Sequence, residues 1–148
     1  REAGDLCQGN FTQMMVERWL ATQPWMDQIA RFTKIYQDRC ETMLTALAEE
    51  MPPGVTWTTP TGGLFLWLTV PRGIDTDSLL AKAVQERVAF VPGHGFYADG
   101  QGHRQMRLNY SYPAPERIRE GVVRLADLLC RELELIEAVY GGRPPSSS

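Results

Sequence analysis

Long apolar runs are missing from this chain. The longest, from Leu64 to Val70, is about a third of the ~20 residues a membrane-crossing helix needs. The opening Arg1-Glu2-Ala3-Gly4-Asp5 lacks a cationic segment followed by an apolar one, so neither a membrane span nor a leader is expected. Clusters of positive charge are also missing. The formal net charge is −3 and the pI about 5.4, and no stretch gathers Lys and Arg into a phosphate-tracking surface, which excludes nucleic acid as a partner of this segment. Cysteine is scarce: Cys7, Cys40 and Cys130 lie far apart at positions that fit a helix face. They read as reduced, buried thiols in a cytoplasmic protein. The two histidines, His94 and His103, have no close ligand spacing with each other or with the cysteines, so no metal is expected.

What is present suits one compact domain over residues 1–140. The chain has 148 residues, 43% of them hydrophobic, enough to bury a core without disulfides. Apolar residues at helical spacing predict a helix from Asp5 to about Thr22. A longer one follows Pro24 and ends near Met51, carrying Ile29, Phe32, Tyr36, Met43 and Leu47. Pro52-Pro53-Gly54 forbids its continuation. Short strands are predicted at Val55–Thr58, Leu64–Val70, Val88–Val91 and Gln105–Tyr110. The second is apolar on both faces, as in a strand covered on both sides. Asp75 or Thr76 caps a helix between strands two and three, and Pro115-Glu116 opens a last helix with Ile118, Val122, Leu125, Leu129, Leu133 and Ile136 along one side. Residues 141–148, rich in Gly, Pro and Ser, read as a disordered tail. This order predicts an α+β fold, a small sheet packed against helices in a two-layer sandwich.

Three segments, in this order, carry a resemblance: Pro60-Thr61-Gly62-Gly63-Leu64-Phe65-Leu66-Trp67, then Val88-Ala89-Phe90-Val91-Pro92-Gly93-His94-Gly95-Phe96, then Met106-Arg107-Leu108-Asn109-Tyr110-Ser111. Together they resemble the C-terminal small domain of class I/II (fold-type I) pyridoxal-phosphate-dependent aminotransferases. The nearest branch is 2-aminoadipate/kynurenine aminotransferase-like, which also includes the aminotransferase-like half of certain bacterial transcription regulators. The similarity runs from Asp5 to Leu133.

The resemblance implies that Arg107 binds the α-carboxylate of an amino acid or 2-oxo acid substrate. A planar guanidinium offers two parallel donors to a planar carboxylate, which fixes orientation as well as charge. By residue type alone, a strand arginine more often balances a neighbouring carboxylate of its own protein. Gly62 and Gly63 read as architectural. Pro92-Gly93-His94-Gly95 is not a phosphate loop, because the glycine spacing is incomplete and no helix follows.

The departure from the family is its lysine. The family holds pyridoxal 5'-phosphate through a lysine in a Ser-x-x-Lys context, and the two lysines here, Lys34 and Lys82, lie in predicted helices outside such a context. The resemblance therefore implies a parent chain with an N-terminal large domain that carries the cofactor, and a homodimer. This segment would hold no catalytic residue and no cofactor and would be inactive alone. The alternative implication is the effector-binding part of an aminotransferase-like transcription regulator.

Overall fold

The computed structural model describes residues 9–141. The start of the first predicted helix, Cys7 and the tail from 142 to 148 lie outside the described residues. Four helices, α1 (Asn10–Thr22), α2 (Trp25–Glu50), α3 (Thr76–Gln85) and α4 (Pro115–Tyr140), are accompanied by four short strands, two between α2 and α3 and two between α3 and α4. The strands are β1 (Thr56–Trp57), β2 (Phe65–Thr69), β3 (Val91–Pro92) and β4 (Gln105–Asn109), with a 3-10 turn at His94–Phe96 between the last two. No described helix is long and apolar enough to cross a membrane. The chain divides into two compact units, one up to Ile35 and one from Tyr36.

In the first unit, α1 buries none of its residues, and Phe11, Met14, Trp19, Met26 and Ile29 are exposed. Gln23 leaves the helical conformation ahead of Pro24 and ends α1, because a residue before proline is pushed toward extended backbone. The indole of Trp25 donates to the Leu20 carbonyl at 3.1 Å across this break. The apolar stripe predicted for α2 is thus divided: Ile29 and Phe32 are exposed, whereas Met43 and Leu47 are buried.

The second unit holds the sheet, in the order β1-β2-β4-β3 with every pair antiparallel. Successive side chains on a strand point to opposite faces. Leu66 and Leu68 on β2, with Met106 and Leu108 on β4, form the buried face. Against it pack Met43 and Leu47 of α2, Leu79 and Ala83 of α3, and the Ile118–Leu129 stripe of α4. The expectation that β2 is covered on both sides does not hold in this chain. Phe65 is 39% exposed, and Trp67 and Thr69 are half-buried, because the helices supply apolar side chains to one face.

Two further departures have local causes. The third strand shortens to Val91–Pro92 because Arg87 turns left-handed, φ 60°, and the Val88 amide donates to the Ala83 carbonyl at 2.9 Å. A donor used to close a helix end is not available to a ladder. The expectation of buried thiols also fails: Cys40 is half-buried and Cys130 exposed, the latter standing just beside Leu129 at the edge of the α4 stripe.

The caps follow the sequence. Asp75 caps α3 by accepting from the Ser78 amide at 2.9 Å. Burial alone raises the Asp75 carboxyl, but the Ser78 hydrogen bonds and the nearby His103 outweigh it and hold it below its usual value. Pro115 sits in the first turn of α4, where its missing N–H costs no hydrogen bond. Gly141 ends that helix in left-handed conformation, its amide donating to Glu137.

Candidate carboxylate site on the open face of the sheet

Arg107 lies at the middle of β4, opposite Trp67 on β2 and Val91 on β3. It is one residue out of phase with Met106 and Leu108, so its side chain stands on the face the helices leave open. The guanidinium is held between two rings, 4.2 Å from the Phe65 centroid and 4.8 Å from that of Phe96. Phe96 meets Trp67 edge to face at 5.1 Å. Arginine over aromatic faces is attracted by the ring quadrupole, roughly 0.5–1 kcal/mol at an exposed site, and the two rings restrict the plane of the fork.

No carboxylate among the described residues lies within ion-pair distance of Arg107, although eight such pairs form elsewhere. Its Nε is buried without a hydrogen-bond partner. A strand arginine that merely balanced a neighbour would show that neighbour. Arg107 instead borders a recess of about 160 Å³ lined by Phe65, Ala89, Phe90, Val91 and Asn109. The arrangement is a cation shaped by two aromatic rings, with its Nε left unpartnered beside a recess.

The surrounding turns are rigidly held. Tyr110 donates its hydroxyl to the Gly63 carbonyl at 3.0 Å, and its amide donates to Leu64. Burial, then a hydrogen bond involving Cys40, pushes the Tyr110 phenol up to about 12. Gly63 has φ +88°, a conformation other residues reach only at about 1–2 kcal/mol, whereas a Cβ at Gly62 would meet nothing within 4 Å. The architectural constraint on this turn therefore rests on Gly63. Gly93 is required for a different reason: a Cβ there would stand 2.7 Å from the Gly102 carbonyl oxygen. After β4, the Asn109 side chain accepts from the Ser111 amide at 2.7 Å, and Arg39 of α2 donates to the Ser111 carbonyl.

Sequence reasoning singled out Arg107 and missed the rings that shape it. Phe65 and Phe96 lie within the resembling segments, but their convergence depends on the β2–β4 register and on the turn after β3. A partial signal was available: Phe65 and Trp67 share one parity on β2, opposite to Leu66 and Leu68. Likewise His94 and His103, with no useful spacing in the sequence, stack with centroids 5.1 Å apart beside Asp77.

No family model matches the chain. It is 41% identical to aromatic-amino-acid aminotransferase 1 of Thermococcus litoralis over 90% of this chain and 32% of that protein. Its fold superposes on the multiple substrate aminotransferase of Thermococcus profundus with TM-score 0.81 and 39% identity, covering 90% of this chain and 33% of the other. The chain belongs to the aminotransferase family. Within it, the chain corresponds to the C-terminal small domain and spans about a third of the length of the curated relatives it matches. The α-aminoadipate aminotransferase of Thermus thermophilus, solved with N-(5'-phosphopyridoxyl)-L-leucine, matches with TM-score 0.78 and 36% identity over 90% of this chain and 34% of its own. A helix-turn-helix transcriptional regulator of Bacillus subtilis, YdfD, is 26% identical over 87% of this chain and 26% of its own length.

Pyridoxal phosphate chemistry in this family rests on a lysine amine, and the described residues do not fit that group. Lys82 Nζ is held by both carboxylate oxygens of Glu132 at 2.7 and 2.8 Å, tying α3 to α4. Lys34 is exposed on α2. Lys82, the lysine in the same unit as Arg107, is thus engaged by Glu132.

Proposed function

We propose that this chain acts as the small domain of a transaminase that moves an amino group between an amino acid and a 2-oxo acid, with Arg107 binding the α-carboxylate of each. The observation that supports this reading is the Arg107 guanidinium itself, sandwiched by Phe65 and Phe96 on the open sheet face with no carboxylate of the described residues beside it. Pyridoxal 5'-phosphate and its lysine come from the large domain of the parent protein, which is a cytoplasmic homodimer, and the chain is inactive alone. The domain's own contribution is positional. It fixes the carboxylate end of the substrate, so that the rest of the substrate is aligned by a bond made at one end, and closing over it excludes water.

The test is steady-state kinetics of the parent enzyme carrying Arg107→Ala and Arg107→Lys. Loss of a bidentate charge-assisted contact lowers kcat/KM for amino acids by about 100-fold or more in the alanine variant, roughly 2.7 kcal/mol. The lysine variant recovers only part of it, since a point charge does not orient a planar anion. Unchanged kcat/KM in both variants sinks the assignment.

The similarity to YdfD favours a second reading, in which the same arginine captures an amino-acid effector in a transcription regulator. The two separate by visible spectroscopy of the parent with pyridoxal phosphate. A band that shifts with an amino acid and is restored by a 2-oxo acid supports transamination, and a band that persists without turnover supports regulation.

A further inference from the structure

Asp77 in the first turn of α3, His94 at the start of the 3-10 turn and His103 just ahead of β4 bring one carboxylate oxygen and two ring nitrogens within 4.8 Å of one another. Nδ1 of His94 is 2.9 Å, and Nδ1 of His103 3.4 Å, from the same Oδ2 of Asp77. Asp75 adds its own Oδ2 at 3.2 Å from Nδ1 of His103, while its other oxygen is occupied by the Ser78 amide. The two imidazoles stack in parallel, 3° between planes.

Oδ2 of Asp77 is buried and accepts no hydrogen bond, although two ring nitrogens stand beside it. In a tetrahedral chelate with bonds of about 2.0–2.1 Å the donors stand edge to edge, about 3.3 Å apart. The measured separations of 2.9 and 3.4 Å bracket that edge.

We propose that Asp77, His94 and His103 form a binding site for a divalent transition-metal ion of the zinc class, with a fourth position filled by water or by Asp75. Imidazole and carboxylate donors suit zinc, cobalt and nickel. The positive end of the α3 dipole opposes a cation, and the two carboxylates of Asp75 and Asp77 offset it. Both histidines are about half exposed, so an ion reaches the site from solvent. A bound ion would tie the N-terminus of α3 to both ends of the loop that carries Phe96 onto Arg107. The site does not depend on the transaminase reading and can fail independently of it.

The experiment titrates Zn²⁺ into the 148-residue chain in competition with a chromophoric chelator, and Co²⁺ as a spectroscopic probe. The expected result is one ion per chain, with Co²⁺ giving the visible d–d bands of a tetrahedral nitrogen and oxygen site and no thiolate charge-transfer band. His94→Ala and His103→Ala each weaken binding at least tenfold, since loss of even an outer partner of a metal ligand costs about 10–100-fold. Zn²⁺ raises the melting temperature of the unsubstituted chain and not of these variants. The isosteric Asp77→Asn, with unchanged far-ultraviolet circular dichroism, shows the same loss even if a histidine variant misfolds. The proposal is overturned by no stoichiometric binding, by binding that survives both histidine substitutions, or by a thiolate band showing that cysteine holds the ion.

Discussion

The two faces of one small sheet carry different chemistry. Leu66, Leu68, Met106 and Leu108 form a face closed by three helices, while Phe65, Trp67, Arg107 and Asn109, interleaved with them on the same strands, form a face left open. The closed face holds the fold, and its energy comes from removing apolar area from water and packing it densely. The open face holds a cation that no carboxylate of the described residues neutralises and that two aromatic rings attract instead. The candidate site occupies the half of the alternation that the helices leave uncovered.

That contrast can be broken from either side. Leu68→Ala on the closed face is expected to destabilise the chain by about 2–5 kcal/mol, because Leu68 is fully buried and a cavity remains; urea unfolding measures it. Arg107→Ala on the open face is expected to cost no more than about 1–2 kcal/mol, the worth of its two cation–π contacts, while on the proposed reading it removes the carboxylate contact in the parent enzyme. A large loss of stability in the arginine variant would merge the two faces into one structural role.

Smaller effects sharpen the boundary between the faces. Gly63→Ala strains the φ +88° turn that leads into β2, with an expected loss of about 1–2 kcal/mol in the same unfolding assay. Tyr110 links that turn to the end of β4, and its phenol is raised from 10.0 to about 12. A raised pKa means the folded state holds the proton more tightly. The associated stability is therefore complete below pH 10 and is lost as pH rises toward 12. Thermal melts between these limits should fall more steeply for the unsubstituted chain than for Tyr110→Phe. The smallest effect is expected for Phe96→Leu in the parent enzyme. Loss of one cation–π contact of roughly 0.5–1 kcal/mol raises KM for amino acids a few-fold and leaves kcat almost unchanged.

Most of the elements were legible in the chain. The 3.6-residue stripe of α4, the Asp75 cap, Pro115 at a helix start and the alternation of Gln105–Asn109 are local signals, set by residues within a turn or two of one another. The misses share a cause. Residues Val88–Val91 have strand-forming side chains, but Val88 spends its amide on the end of α3, a choice made by the left-handed Arg87. Leu64–Val70 is apolar enough to be covered twice, and how many faces are covered depends on where helices fall in space. Cys130 fits a helix face in the sequence, yet its rotation about α4 relative to the sheet leaves it exposed.

The candidate site divides along the same line. The sequence by itself determined the α+β succession of elements, the family and the choice of Arg107, because each rests on short segments whose residue types and order carry the information. Only the tertiary structure decided that Phe65 and Phe96 clamp the guanidinium, that the described residues leave it without a carboxylate, and that His94, His103 and Asp77 meet. Those contacts are fixed by strand register and by the path of the loop between β3 and β4, which bring together residues whose separation along the chain says nothing of their distance in space.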